Sequence, residues 1–269
     1  MKKFCILSLL ALCTIAANAE EVVMKALKCQ KEYHGIAVGG PIKVFIEERN
    51  DGNIIVRATE KIHSELDIKV EKQILKFSLN SFNVKRKSAL IQAEVYIPNN
   101  GKLDEFTAVA CGIIDTQPQI AAKEVKIECT AASHINIDVV ADELVIDVLG
   151  ASTATIDTQC TSIEADATGA STLSLSGKAT KCEADIFGAS SFKADTFHSS
   201  QVDLECSGAS SADISSDMAK VEISGASTVD IDCSTQLKAS ASGASTIRYS
   251  GDCQVDIVNN SGASTIKRK

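Results

Sequence analysis

The chain has 269 residues, a formal net charge of −8, 10 cysteines and no tryptophan. The negative charge argues against nucleic acid and against an acidic membrane surface as partners, because both attract basic proteins. Aromatic residues make up only 4% of the chain, whereas small aliphatic residues, Ser and Asp are abundant. This composition favours a core of many small apolar contacts, as in a repetitive stack, over one compact globule.

The first residues have the pattern of a signal peptide. A start with two lysines is followed by an apolar run from Phe4 to Ala17 and by an A-x-A site that ends at Ala19. The run is too short to span a bilayer, so residues 1–19 are predicted to be cleaved. A lipoprotein is disfavoured because Cys13 follows a leucine rather than a small residue. We expect an exported protein, in the periplasm or at the cell surface, without a transmembrane segment.

Residues 20–110 are predicted to form a β-rich cap together with the first coils of the fold. Apolar residues alternate with polar ones over 42–46, 55–58 and 66–70, and residues 50–53 (NDGN) have the composition of a hairpin turn. A solenoid needs such a segment to seal the apolar end of its stack.

Residues 111–269 contain a Gly-Ala-Ser phrase that recurs about every 19 residues. A fixed period of this length indicates a solenoid. Degenerate copies are expected at Gly112 and Ala131. The regular copies begin at Gly150, Gly169, Gly188, Gly208, Gly225, Gly243 and Gly262.

Each copy carries two short segments in which apolar and polar residues alternate. The first includes pairs such as Leu173 and Leu175, and the second follows a polar loop and ends, in the last copy, with Val255 and Ile257. Period-two alternation predicts half-buried strands, and no helical period intervenes. Two strands and two bends in about 19 residues predict one coil of a parallel β-helix. The Gly would provide a bend, with Ala and Ser stacked at the corner.

Eight cysteines follow the signal peptide. Metal binding would require close pairs such as C-x-x-C, which the sequence lacks. Most of the cysteines are predicted to be structural thiols, as at the inward position Cys182, and disulfides are the alternative for an exported protein.

Two sets of outward residues are candidate sites. Rows of hydroxyl and carboxyl groups on neighbouring coils could form a polar ladder that binds an extended partner. A second set lies 16 places after the start of each copy, and its stacked carboxylates would repel one another unless Ca²⁺ bound between them. Ca²⁺ is the one candidate cofactor, and a solvated polar face is the alternative. The polar ladder comprises Thr153, Thr155, Asp157, Thr172 and Ser174, and the acidic column comprises Glu128, Asp147, Asp166 and Asp185.

No catalytic residues are predicted. The carboxylates are spread regularly rather than paired, and basic partners are scarce in the repeats. His134, beside the corner serines, offers the one Ser–His pairing and fits a surface histidine better than a base. A polysaccharide lyase or hydrolase, and a purely structural envelope component that contacts its own copies, are the alternative functions.

The segment YHGIAVGGPIKVFI at residues 33–46 approximates the phrase FxGIxVxGxxxVxIxxG, and a ladder of SGAS phrases follows it. Together they resemble the putative auto-transporter adhesin, head GIN domain family, found mostly in exported proteins of Bacteroidetes. The resemblance extends from about Glu32 to the end of the chain and departs at 112–114 and 131–133. It implies a right-handed single-stranded β-helix, similar to the pectin-lyase-like folds, and an adhesin. We therefore expect a non-enzymatic binding protein for a glycan or protein of a host or cell envelope, with homo-oligomers left open.

Overall fold

The computed structural model describes residues 21–49, 51–80 and 91–269. Strands make up 72% of the described residues and helix 3%, and the strands form a parallel β-solenoid of about 9 turns. The structure confirms the all-β β-helix predicted from the repeat. The predicted signal peptide, residues 1–19, and position 50 of the predicted turn lie outside the described residues.

The described strands are short in the N-terminal region and long in most of the repeats. The N-terminal elements are β1 (Val22–Lys28), β2 (Gly35–Gly39), β3 (Ile42–Glu47), β4 (Asn53–Thr59), α1 (Glu60–Glu65), β5 (Leu66–Glu71), β6 (Ile74–Leu79), β7 (Ala93–Pro98), β8 (Glu105–Val109) and β9 (Ile113–Thr116). The repeats contain β10 (Ile120–Thr130), β11 (His134–Gly150), β12 (Thr153–Gly169), β13 (Thr172–Ile186), β14 (Ser191–Cys206), β15 (Ser211–Ile223), β16 (Thr228–Ala241), β17 (Thr246–Ser250), β18 (Gln254–Asn260) and β19 (Thr265–Arg268).

One long strand, rather than two short ones, runs through most coils of the repeat. β12 pairs in parallel with β13 from Thr153 opposite Thr172 to Ala167 opposite Ile186. The polar loop expected between the two segments of a copy is therefore part of the strand, where the pairing skips one residue per coil at a second bend, such as Asp142, Thr161 and Thr180. Copies of unequal length are accommodated by register shifts, such as the one between Ala194 and His198.

The first coils are not stacked in the order of the chain. β2 and β3 pair in parallel with β6 and β7 on one side and with β8 and β9 on the other. The coil that comes first in sequence is thus the second in space. β8 and β9 then pair with β10 and β11, which join these coils to the repeats. Solenoid coils therefore precede the first copy of the repeat phrase.

Antiparallel strands close the N-terminal end of the stack. β5 pairs with β6, β4 pairs with β7, and β1 adds to β4, all antiparallel. The short helix α1 connects β4 to β5, and its N-cap Thr59 accepts a hydrogen bond from the backbone N–H of Ile62 at 3.4 Å. These elements cover the edge of the outermost parallel coil, which would otherwise present unpaired backbone groups.

A single apolar core runs along the inside of the stack. The predicted inward residues of the repeats are buried, as at Leu173 and Cys182, which are each 0% exposed. The prediction is wrong for Ile257, which is 51% exposed. β18 pairs only with β16 among the described strands, so the side chain of Ile257 has no packed neighbour on its other side.

The corner glycines allow successive coils to approach closely. Each regular copy has its glycine at positive φ, for example +79° at Gly188 and +86° at Gly208. A Cβ on Gly188 would lie 2.7 Å from the carbonyl oxygen of Gly169, and the next backbone N–H, that of Ala189, donates to that oxygen at 2.7 Å. Glycine is required here both by the left-handed backbone and by the contact with the preceding corner.

The serine of each corner from Ser133 to Ser245 points into the core, while the alanine before it is exposed. The buried hydroxyls are satisfied locally: Ser152 Oγ donates to the carbonyl of Leu149 at 2.9 Å, and Ser171 Oγ donates to Ser190 Oγ at 3.1 Å. A residue that is small and can satisfy its own polar group fits this position. The buried members of this serine ladder are Ser133, Ser152, Ser171, Ser190, Ser210, Ser227 and Ser245.

The degenerate corner at 131–133 has a different backbone. Ala131 and Ala132 adopt positive φ values of 56° and 63°, in place of a single glycine. As a result, a Cβ on Gly150 would meet Ala131 N at 3.5 Å, which is an ordinary contact.

The cysteines Cys29, Cys111, Cys129, Cys160, Cys182, Cys206, Cys233 and Cys253 are free thiols in the described part of the chain. Burial raises the pKa of the Cys182 and Cys206 thiols to about 12. Cys111, by contrast, is exposed at a corner.

We predict that Gly188→Ala lowers the urea midpoint of unfolding more than Gly150→Ala does. The two glycines have nearly equal φ values, +79° and +81°, so both variants incur roughly 1–2 kcal/mol of backbone strain. Only Gly188→Ala adds a clash with a backbone carbonyl. Circular dichroism during urea unfolding measures the difference, and equal losses in the two variants would contradict the contact.

We also predict selective alkylation of the thiols. At about pH 8, iodoacetamide should modify Cys111 in the folded protein and leave Cys182 and Cys206 unmodified, because only thiolates react and both buried thiols are protonated and covered. Peptide mass spectrometry reads each site. Complete reaction in urea is the control, and modification of Cys182 under native conditions would oppose the assignment to the core.

Candidate functional site

The predicted polar ladder lies on one outward face, which we call the hydroxyl face. Thr153 stands opposite Thr172, Thr155 opposite Ser174, and Asp157 opposite Ser176. Ser176 Oγ donates to Asp157 Oδ2 at 2.6 Å, which ties the two coils together. Strands of a parallel ladder lie roughly 4.8 Å apart, so these groups form evenly spaced rows.

The hydroxyl face extends beyond the residues predicted from the sequence. The row that begins with Thr153 and Thr172 continues through hydroxyl residues on every later coil, namely Ser191, Ser211, Thr228, Thr246 and Thr265. Ser211 Oγ donates to Ser191 Oγ at 3.2 Å. The face therefore offers hydroxyl groups along most of the stack, with few charges in this row.

Charged residues occupy the adjacent row towards the C-terminal coils. After Thr155 and Ser174 the row continues with Lys193, Asp213, Asp230, Arg248 and Lys267. The Arg248 guanidinium donates to both oxygens of Asp230, at 2.7 and 2.6 Å. This bidentate pairing lowers the pKa of the Asp230 carboxyl.

The same row begins, at the N-terminal end, with two aromatic residues that sequence reasoning missed. Phe45 lies opposite Tyr96, and their rings stack with centroids 4.9 Å apart and planes 8° apart. The Lys43 ammonium lies 4.3 Å from the centroid of Phe45. Phe45 is thus covered by the Tyr96 ring and contacted by the Lys43 ammonium, so the aromatic pair stabilises the coils rather than presenting an open platform for a sugar ring.

The acidic column has the register that the spacing predicted. Glu128 lies opposite Asp147, Asp147 opposite Asp166, and Asp166 opposite Asp185. Glu205 and Glu222 extend it. A second acidic row runs beside it through Glu164, Glu183 and Asp203. We call the two rows together the acidic face.

Crowding on the acidic face raises the pKa of two carboxyl groups. Burial raises the pKa of Asp166, and the charges of Asp147, Glu164 and Glu183 raise it further. The pKa of Asp185 is raised by burial and by Asp166 and its other acidic neighbours. Within residues 21–49, 51–80 and 91–269, no group of three or more His, Cys, Asp and Glu is arranged to hold a metal ion. Calcium binding by the column stays a prediction.

One Ser–His–Asp contact occurs among the described residues, away from His134. His198 Nδ1 lies 3.0 Å from Ser215 Oγ, and His198 Nε2 lies 3.4 Å from Asp217 Oδ1. The side chains of His198 and Asp217 are 49% and 45% exposed. A nucleophile of this kind works in a site that excludes water, whereas these groups lie on an open surface. The contact leaves no signal in the sequence, because it depends on a register shift in β14.

We predict that Asp166→Asn raises the denaturation midpoint at about pH 7. A carboxyl whose folded-state pKa is raised binds its proton more tightly in the folded protein, so its charged form destabilises the fold above that pKa. The gain should vanish as the pH falls below 3.8, the ordinary pKa of the group. Asp142→Asn, in an exposed position at the second bend, is the control. Urea titrations at about pH 7 and about pH 3 test this, and a midpoint unchanged at neutral pH would count against repulsion on the acidic face.

No helix in the described residues is long and apolar enough to cross a membrane.

Comparisons with known proteins agree on the fold. The family model described as "Putative auto-transporter adhesin, head GIN domain" matches residues 32–219. A comparison with curated proteins gives no significant match.

Solved structures of similar proteins cover nearly the whole chain. The crystal structure of a putative adhesin from Parabacteroides distasonis ATCC 8503 is 17% identical, with a TM-score of 0.67, and the alignment covers 93% of this chain and 97% of that one. A putative adhesin from Parabacteroides merdae ATCC 43184 is 14% identical, with a TM-score of 0.63 and coverage of 92% and 96%. A putative lipid binding protein from Parabacteroides distasonis ATCC 8503 is 15% identical, with a TM-score of 0.58 and coverage of 92% and 96%. At these identities the likeness shows the fold alone.

Proposed function

Since this chain belongs to the putative auto-transporter adhesin, head GIN domain family, we propose that it is an exported, non-enzymatic binding protein whose hydroxyl face contacts a glycan or a protein. The observation that carries the proposal is the unbroken row of hydroxyl residues from Thr153 to Thr265. A row in register over many coils is a surface on which an extended partner can form the same contact repeatedly.

The chemistry of the row suits such a partner. Each hydroxyl can both donate and accept a hydrogen bond, so the row can pair with the hydroxyls of a glycan or with the backbone of a protein loop. The members are Ser and Thr, whose short side chains lose little conformational entropy on binding. Individual contacts of this type are weak, and affinity would come from their number along the stack.

A binding role also agrees with what surrounds the row. The Ser215–His198–Asp217 cluster lies on an open surface, and the carboxylates of the acidic face are arranged in rows rather than as an isolated acid–base pair. The net charge of −8 favours a neutral or basic partner over a polyanionic one.

The experiment is an array of glycans and matrix proteins probed with the purified protein, with and without Ca²⁺. A saturable signal supports the proposal, and a calcium-dependent one supports the predicted Ca²⁺ site on the acidic face. A blank array across broad glycan and protein sets would count against it.

For a ligand identified on the array, we predict that Thr153→Lys with Thr172→Lys weakens binding about tenfold or more, equivalent to roughly 1.4 kcal/mol. The long cations replace adjacent hydroxyls and obstruct close approach. Thr161→Lys with Thr180→Lys changes exposed threonines of the same two coils outside the hydroxyl face and serves as the matched control. Biolayer interferometry measures both, and equal weakening by the two double variants would argue against this face.

A further inference from the structure

The N-terminal cap contains a partly open cavity of about 270 Å³ between β1, β4, α1, β5 and β6. Its apolar wall combines side chains from the end of the solenoid core with side chains from the cap. The wall consists of Leu27, Ile54, Leu66, Ile68, Val70 and Leu75.

The wall residues from the solenoid core are more deeply buried than those from the cap. Ile54 and Leu75 belong to the core and are 2% and 1% exposed. Leu27, Leu66, Ile68 and Val70 are only half-buried. The cap therefore closes the backbone edge of the stack but leaves several aliphatic side chains incompletely packed, and an apolar group that filled the cavity would remove that surface from water.

Cations surround this cavity in a chain that is acidic overall. Lys25, Lys28, Lys69 and His63 line it, against one carboxylate, Asp67. The lysines differ in whether a carboxylate lies next to their ammonium groups. Lys25 Nζ lies 2.7 Å from Glu60, and Lys69 Nζ lies 3.4 Å from Asp67 and 3.1 Å from Glu71.

Lys28 forms no ion pair with any residue of the described ranges and is exposed at the edge of the cavity. An aliphatic wall next to a cation without a carboxylate partner is complementary to a ligand with an apolar chain and one negative charge.

We propose that this cap cavity binds an anionic amphiphile, a medium-chain monocarboxylate, with its chain against the aliphatic wall and its carboxylate at Lys28. The volume of 270 Å³ corresponds to about nine groups of the size of a water molecule, at roughly 30 Å³ each. A chain of about that many carbon atoms fills it. The cavity is separate from the hydroxyl face, so the proposal does not depend on adhesion.

Isothermal titration calorimetry with decanoate, below its micelle-forming concentration, is the first test. Decanoate should saturate a single site, whereas decanol should bind more weakly because it lacks the charge. Decyltrimethylammonium, with the opposite charge, should not bind. Absence of saturation by decanoate, or equal affinity for all three compounds, would overturn the proposal.

Lys28→Glu reverses the charge at the cavity edge and should weaken decanoate binding about tenfold or more. Lys238→Glu, a lysine exposed on β16, is the control and should leave the affinity unchanged. Equal affinities of the two variants would show that Lys28 does not receive the carboxylate.

A second readout needs no substitution. Cys29 lines the cavity, and its thiol donates to the carbonyl of Lys31 at 3.3 Å, whereas Cys111 lies exposed at a corner outside the cavity lining. Saturating decanoate should slow alkylation of Cys29 several-fold and leave the rate at Cys111 unchanged. Equal slowing at both thiols, or no slowing at Cys29, would place the ligand elsewhere.

Discussion

The close contact between successive corner glycines is the constraint on which the solenoid depends. At each regular corner from Gly169 onward, a backbone N–H donates at 2.7 Å to the carbonyl of the glycine one coil earlier, in a place where a Cβ would clash. This contact fixes the distance and the register between coils. Once the register is fixed, every outward residue has a defined neighbour above and below, and rows of like side chains follow from the repeat itself.

The same constraint explains why the fold of the repeats could be predicted from the sequence. A period of about 19 residues places Leu173 over Ala154, and the burial of such residues follows from alternation alone. The N-terminal coils follow no such period. There, β2 and β3 lie between two coils that come later in the chain, and local patterns do not encode which strands will pair.

The candidate sites likewise include some that the repeat period predicts and others that it does not. The rows through Thr153 and through Asp147 could be found by counting along the repeat. The ring stack of Phe45 on Tyr96 and the contact of His198 with Ser215 arise from pairing order and from a register shift, and neither feature leaves a periodic signal. The cap cavity is a further case, because its lining combines β1 with the later segment from β4 to β6, and no local pattern predicts that these elements meet.

Hydrogen–deuterium exchange at the corners tests the central claim most directly. Gly- and Ser-rich turns with exposed alanines normally exchange fast, yet the amides of Ala170, Ala189, Ala209, Ala226 and Ala244 all donate to the preceding corner. The account predicts that peptides spanning these corners exchange as slowly as those of the buried strands β12 to β15. Exchange at the corners within seconds, beside protected strands, would contradict the claim that corner contacts hold the coils in register.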